Sequence, residues 1–195
     1  MNMPMSTETF SSGAVWIWGE PTAALHNDWR YFRHRWTAPA NLKRATLLIT
    51  ADSRYEVSLN GTHIGRGPVR SFPYAYAYDV YDITASVQAG AENVIAALVN
   101  AYGDHSMVYI LAGAGLLCEI ILEDNSGKIT RVSSGSDWKT TPCEAFNAQA
   151  PRISVQLGFE EQIDGRRGCP NRQFRGDQQS ALQNPIAPIC AVLVR

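Results

Sequence analysis

The chain has 195 residues, 45% of them apolar and only 18% charged, with a net charge of −1 and a pI of about 6.4. That composition fits one globular domain and is too apolar for a disordered chain. It lacks the basic excess of a nucleic-acid or anionic-membrane binder, and no apolar run approaches the ~20 residues that span a bilayer.

The near-neutral total hides an asymmetry. Residues 166–195 carry five arginines against one aspartate, a charge of +4 that leaves −5 on residues 1–165. At the other end, residues 1–13 (MNMPMSTETFSSG) read as a loose leader. They hold no basic stretch followed by an apolar core, so no signal peptide is seen and a cytoplasmic location is expected. Cys118, Cys143, Cys169 and Cys190 have no CxxC spacing and read as free thiols of a reducing compartment. The histidines His26, His34, His63 and His105 lack the paired spacing of zinc ligands.

In chain order, Ala14 to Trp18 reads as a short strand stopped by Gly19 and Pro21, and Glu20 to Asn27 as a loop. Trp29 to Thr37 alternates with strand-favouring aromatics. Arg44 to Ala51 is a core strand, and Asp52-Ser53 turns the chain. Tyr55, Val57 and Leu59 then alternate with polar residues, Asn60-Gly61 tolerates the positive φ of a type I′ turn, and Thr62 to Ile64 returns. Next come the loop Gly65 to Ser71, the tyrosines Tyr74, Tyr76, Tyr78 and Tyr81, and an alternating stretch from Tyr78 to Thr84. Asn93 to Val99 is apolar enough for a strand covered on both faces. Gly115 to Glu123 pairs with Lys128 to Ser133 across Asp124 to Gly127, Asp137 to Thr140 is a short strand, and Ile153 to Leu157 is the last. About ten short strands with turns every 8–12 residues specify an all-β sandwich. From Gly165 to Gln183 the periodicity vanishes.

Several stretches together resemble the N-terminal β-sandwich domain of bacterial α-L-rhamnosidases, glycoside hydrolases of family 78. They are Trp16-Ile17-Trp18, Tyr31-Phe32-Arg33, ITAD from Ile49, LNGTHIGRGPVRS from Leu59, YDVYDIT from Tyr78, ENVIAALV from Glu92, Gly115-Leu116-Leu117, Ser136 to Lys139 and Gly158 to Glu161. They run in the family's order over roughly residues 14–165. The resemblance implies a jelly-roll-like, galactose-binding-domain-like sandwich over 14–165. It also implies a partner, the large α-helical catalytic barrel of the same or a neighbouring polypeptide, where the family's catalytic acids reside. No catalytic residue is therefore carried over, and this chain alone is expected to be inactive. Residues 166–195 match nothing of that continuation; a fragment's end or a shifted reading frame explains them better than a basic interaction tail. A missing barrel is expected to leave an apolar docking patch of more than a few hundred Å².

For contact with carbohydrate, of which a rhamnose-containing one is the expected partner, the candidates are Arg66, Arg70, Tyr74, Tyr76 and Tyr78. Tyrosine faces meet sugar C–H groups and guanidinium forks meet hydroxyls. The alternative is structural: Gly65 and Gly67 supply positive φ, the arginines pair with Asp79 and Asp82, and the tyrosines are half-buried strand residues. Trp16, Trp18, Trp29 and Trp36 are likewise stacking platforms or core. Asp52, Asp79, Asp82 and Asp104 raise calcium, but no DxDxDG-type loop supports it and no cofactor is expected. Glycoside hydrolysis needs two flanking carboxyl groups, and adjacent Glu160 and Glu161 point to opposite faces if extended. An accessory domain packing on a barrel, an autonomous carbohydrate-binding module and a stand-alone enzyme remain, in that order.

Overall fold

Period-two patterning builds nine strands among the described residues, which are 8–19 and 25–167 of the computed structural model. They are β1 (Asp28–Thr37), β2 (Leu42–Asp52), β3 (Arg54–Leu59), β4 (Thr62–Gly67), β5 (Asp79–Asp82), β6 (Glu92–Ala101), β7 (Gly115–Asp124), β8 (Ile129–Ser133) and β9 (Lys139–Pro142). One sheet runs β4-β3-β6-β1-β9 and the other β5-β2-β7-β8. Every pairing is antiparallel, and the first and last strands are neighbours, with Tyr31 opposite Thr141. The molecule is a jelly-roll-like β-sandwich, as the alternation requires.

Between the layers, Leu47 and Ile49 of β2 and Leu116, Ile120 and Leu122 of β7 meet Phe32 of β1, Val57 and Leu59 of β3, and Ile95 and Val99 of β6. Within each strand these residues are an even number of positions apart, so one face of each of these five strands is removed from water. The continuous apolar run of β6 has a separate cause. Its Leu98 faces outward, into a second cluster with Trp29, Tyr31, Cys143, Ala145 and Phe146. The chain after β9 folds back over that face, stacking Phe146 on Trp29 with ring centroids 3.8 Å apart.

The outer face of the other sheet meets the N-terminal strap. Ser11 donates from its backbone N (2.9 Å) and its hydroxyl to the buried Glu119 carboxylate, which also accepts from Arg131 at 2.6 Å and Ser133 at 2.7 Å. Glu8 pairs with Arg44. Of the leader, residues 1–7 lie outside the described residues. Ala14 to Trp18 is not a strand: Ile17 makes a single bridge to Leu116, because β7 begins at Gly115 and offers little ladder alongside. Ile153 to Leu157 is no strand either. Ile153, Val155 and Leu157 are all more than half exposed, and among the described residues the stretch makes only isolated backbone bonds, Ile153 N to Gly158 O at 3.0 Å and Met107 N to Val155 O at 3.2 Å, instead of a ladder.

The central hairpin turns as its residues require, with φ of +50° at Asn60 and +82° at Gly61. The Asn60 side chain locks it by donating to Ser86 O (2.9 Å) and Asn93 Oδ1 (2.8 Å). Gly65 and Gly67 do not supply positive φ. They are glycines because a Cβ would strike the Tyr81 hydroxyl and the Asp79 carboxylate respectively. Trp29, Trp36 and Trp138 are buried, Trp18 packs on the core and Trp16 is exposed. Cys118 and Cys143 are buried free thiols; Cys169 and Cys190, like the rest of the tail from residue 168, lie outside the described residues. No helix among the described residues is long and apolar enough to cross a membrane.

Candidate functional site

Loop residues 68–76 and 102–110 meet over the β2–β3 turn and enclose a cleft of about 380 Å³, within the range of small-molecule sites. Its floor carries Asp52, which ends β2 and is only 2% exposed. A buried carboxylate must be hydrogen-bonded, and this one is. Tyr76 donates its hydroxyl to Oδ2 at 2.5 Å, Tyr109 donates to Oδ1, and the Ser53 hydroxyl lies 3.4 Å from Oδ1. Burial and the Asp52 carboxylate push the Tyr109 phenol up to about 12 and raise that of Tyr76 as well. Both therefore remain protonated donors at neutral pH, and Asp52 accepts from both.

The walls are mixed. Pro73, Val108 and Ile110 give the cleft apolar lining, Arg54 and Arg70 bring charge, and Tyr102 brings an aromatic ring. Arg54 is held on every side. Its Nε donates to Asn100 Oδ1 at 3.0 Å, it pairs with Glu161 at 2.9 Å, and its guanidinium sits 5.0 Å from the Trp29 ring and 5.5 Å from that of Tyr102.

Of the five residues expected at a carbohydrate site, Arg70 and Tyr76 lie together in this cleft. The other three lie elsewhere. Tyr74, 85% exposed, stacks on Phe72 at the loop tip, and Tyr78 donates to Glu8 O at 3.0 Å and packs edge-on against Phe10. Arg66 sits on the edge strand β4 opposite Glu56. The expected pairing of the arginines with Asp79 and Asp82 does not form. Asp79 accepts from the Tyr55 hydroxyl at 2.5 Å and Asp82 from the Thr84 hydroxyl at 2.6 Å.

Tyr102 and Tyr109 are residues that sequence reasoning missed here, and Asp52 enters it only as a turn residue and a calcium candidate. Asp52 reads as a turn residue, yet an aspartate closing the run Leu47 to Ala51 had to be buried, and buried carboxylates require donors. Nothing local marks Tyr109 as one of them.

The four aspartates that raised calcium are each engaged separately, Asp104 with His26 at 2.9 Å and Arg152 at 3.5 Å. Among the described residues no three His, Cys, Asp or Glu side chains converge. The cleft holds one carboxyl group where glycoside hydrolysis takes two. A broader, open groove of about 830 Å³ between residues 144–149 and 162–167 has two, Glu144 and Asp164, both exposed. Asp164 there accepts the Arg166 N–H at 3.0 Å and pairs with Arg167 at 3.6 Å.

The family model described as the alpha-L-rhamnosidase N-terminal domain matches residues 40–167. The chain belongs to that family. All the cleft residues fall inside the match and the strap falls outside it. An alpha-L-rhamnosidase of Streptomyces avermitilis is 31% identical over 166 residues, covering 77% of this chain and 15% of the relative. The family 78 rhamnosidase of Bacillus sp. GL1 superposes with a TM-score of 0.72 at 40% identity, over 79% of this chain and 16% of that one. A lectin of Pleurotus ostreatus, solved in complex with GalNAc, superposes with a TM-score of 0.51 at 25% identity, over 77% of this chain and 41% of the lectin. The chain thus spans about one-sixth of the two rhamnosidases it matches.

Proposed function

We propose that this chain is the non-catalytic N-terminal accessory domain of an α-L-rhamnosidase-type glycoside hydrolase. It packs on the catalytic α-helical barrel of the same or a neighbouring polypeptide and contacts a rhamnose-containing carbohydrate at the cleft. The match to an N-terminal domain that makes up about one-sixth of two rhamnosidases carries this reading. Two further features support it. Exposed apolar side chains cluster in the loops at the cleft mouth, with Val69 and Met107 more than 60% exposed and Phe72, Ile110 and Leu111 beside them in sequence, as a docking rim requires. The buried thiols Cys118 and Cys143 fit a reducing cytoplasm.

The cleft chemistry suits a polyol. A carboxylate offers about four acceptor positions, and among the described residues the two phenols and Ser53 occupy three of those on Asp52, leaving one position on Oδ2 beside the Tyr76 hydroxyl. Arg70 supplies donors, and Tyr102 with Ile110 supplies apolar surface for ring C–H groups. Arg66, Tyr74 and Tyr78 act outside the cleft, Tyr74 at the loop tip.

The accessory reading expects no hydrolysis of 4-nitrophenyl α-L-rhamnoside by the purified chain, and steady turnover would overturn it. The second reading, an autonomous carbohydrate-binding module, is favoured by the preformed cleft and by the lectin's shared fold. Saturable calorimetric binding of L-rhamnose by the chain alone, abolished in both Arg70→Ala and Tyr76→Ala, selects that reading over the first.

A further inference from the structure

Among the described residues, the loop wall that carries Arg70 and Tyr76 has little backbone support of its own. Between β4 and β5 it is tied by the Ala75 N–H to Phe72 O bond (2.8 Å) inside the loop and by the Thr50 hydroxyl donating to Ala77 O (2.7 Å). What lies against it is the N-terminal strap. The Trp16 ring sits 4.9 Å from that of Tyr76, tilted by 55°, and two residues along, Phe10 and the Glu8 carbonyl engage Tyr78. The strap is anchored independently of the loop. Ile17 exchanges backbone bonds of 3.0 and 2.9 Å with Leu116, Val15 N donates to Ser134 O at 3.1 Å, and Ser11 is latched to Glu119. Beneath Trp16 the sheet presents Gly115, where a Cβ would come within 2.5 Å of Trp16 Cε3. A glycine there leaves room for the indole to lie flat enough to reach Tyr76.

We propose that the strap is a brace for the cleft and that Trp16 is its positioning residue, holding the Tyr76 hydroxyl on Asp52. The indole is not among the residues that line the cleft; it acts through Tyr76. Without it, Tyr76 swings away on a weakly tied loop, and Asp52 keeps only Tyr109 and Ser53. Two substitutions then converge on one defect. Trp16→Ala removes the brace, and Gly115→Ala pushes it off, so the double variant is no worse than either single one. Trp16→Phe keeps an aromatic face against Tyr76 and rescues.

The experiment reads Tyr76 in the full chain by site-resolved NMR of ¹³C-labelled tyrosine across an alkaline titration. A Tyr76 phenol released from a buried carboxylate titrates closer to the ordinary value of about 10. The expected result is a downward shift of the Tyr76 midpoint in Trp16→Ala and Gly115→Ala, its restoration in Trp16→Phe, and several-fold faster acetylation of Tyr76 by N-acetylimidazole. Trp16 is exposed and outside the inter-layer cluster, so circular dichroism and the melting temperature should stay close to the parent's, which separates loss of the brace from loss of the fold. An unchanged Tyr76 midpoint and reactivity in Trp16→Ala overturns the proposal. A second arm rests on reading the cleft as carbohydrate-contacting: a roughly tenfold weaker L-rhamnose affinity in Trp16→Ala, the change that about 1.4 kcal/mol makes. If the parent chain alone binds no sugar, the autonomous-module reading falls and the accessory one stands, while the Tyr76 titration still decides the brace.

Discussion

The space between the two sheets and the loop end that forms the cleft are held together in different ways. Between the sheets, Phe32, Leu47, Ile49, Leu59, Ile95 and Ile120 are fully buried, and removal of apolar area from water provides most of the stabilisation. At the loop end, side chains of separate segments converge on one buried carboxylate, and the rim is apolar and exposed. The first arrangement is non-directional and shared among many residues. The second depends on a few donors, so single substitutions there redirect the site more than they destabilise the fold.

The largest effect should come from the inter-layer core. Phe32→Ala removes a fully buried ring that Trp18 and the opposite sheet cannot replace, and about 3–5 kcal/mol of stability should be lost in urea unfolding. A loss below about 1 kcal/mol, the size of an ordinary surface effect, would erase the contrast between the two regions.

Glu119 tests the ground between them, since it lies on the sheet but holds the strap. Burial raises its carboxyl, but hydrogen bonds from Ser11 and Ser133 and the Arg131 charge outweigh burial and hold it below its ordinary 4.5. A carboxyl lowered in the fold contributes stability that is present above its unfolded value and lost as pH falls through the folded one. Glu119→Gln should therefore cost about 1–3 kcal/mol at pH 7. The difference between parent and variant should shrink in unfolding curves taken below about pH 4.5. A gap independent of pH would show that the latch acts by shape and not by charge.

Smaller still is the hairpin. Gly61→Ala forces a Cβ into φ +82° and should cost about 1–2 kcal/mol, read as a lower melting temperature. The smallest effect belongs to the cleft rim. Ile110→Ser should change stability by no more than about 0.5 kcal/mol, because the side chain is already 42% exposed. Under the accessory reading it should nevertheless weaken co-elution of this chain with a rhamnosidase from which the matching segment has been deleted.

Most of the sandwich was legible in the residues themselves. Alternation in β1, β3 and β5, the doubly apolar run of β6 and the turn-forming Asn60-Gly61 and Asp124 to Gly127 are local, and backbone geometry reads them directly. Alternation misled at Ala14 to Trp18 and at Ile153 to Leu157, because a strand also needs a partner edge and those stretches find at most one bridge. The candidate site was legible only in part. Arg70 and Tyr76 stand out by residue type, but Arg66, Tyr74 and Tyr78, alike in composition, are turned elsewhere by strand register and by the strap.

The sequence alone determined which residues alternate, where the chain must turn, and that a two-layer β fold of this family results, since strand period and turn conformation depend on neighbours a few positions apart. Only the tertiary structure decided that Asp52, Tyr76 and Tyr109, from three separate segments, share one set of hydrogen bonds, and that Trp16 lies against one of them. The physical reason is desolvation. A carboxylate buried at the end of β2 must find its donors wherever the packed loops bring them, and no spacing along the chain records where that is.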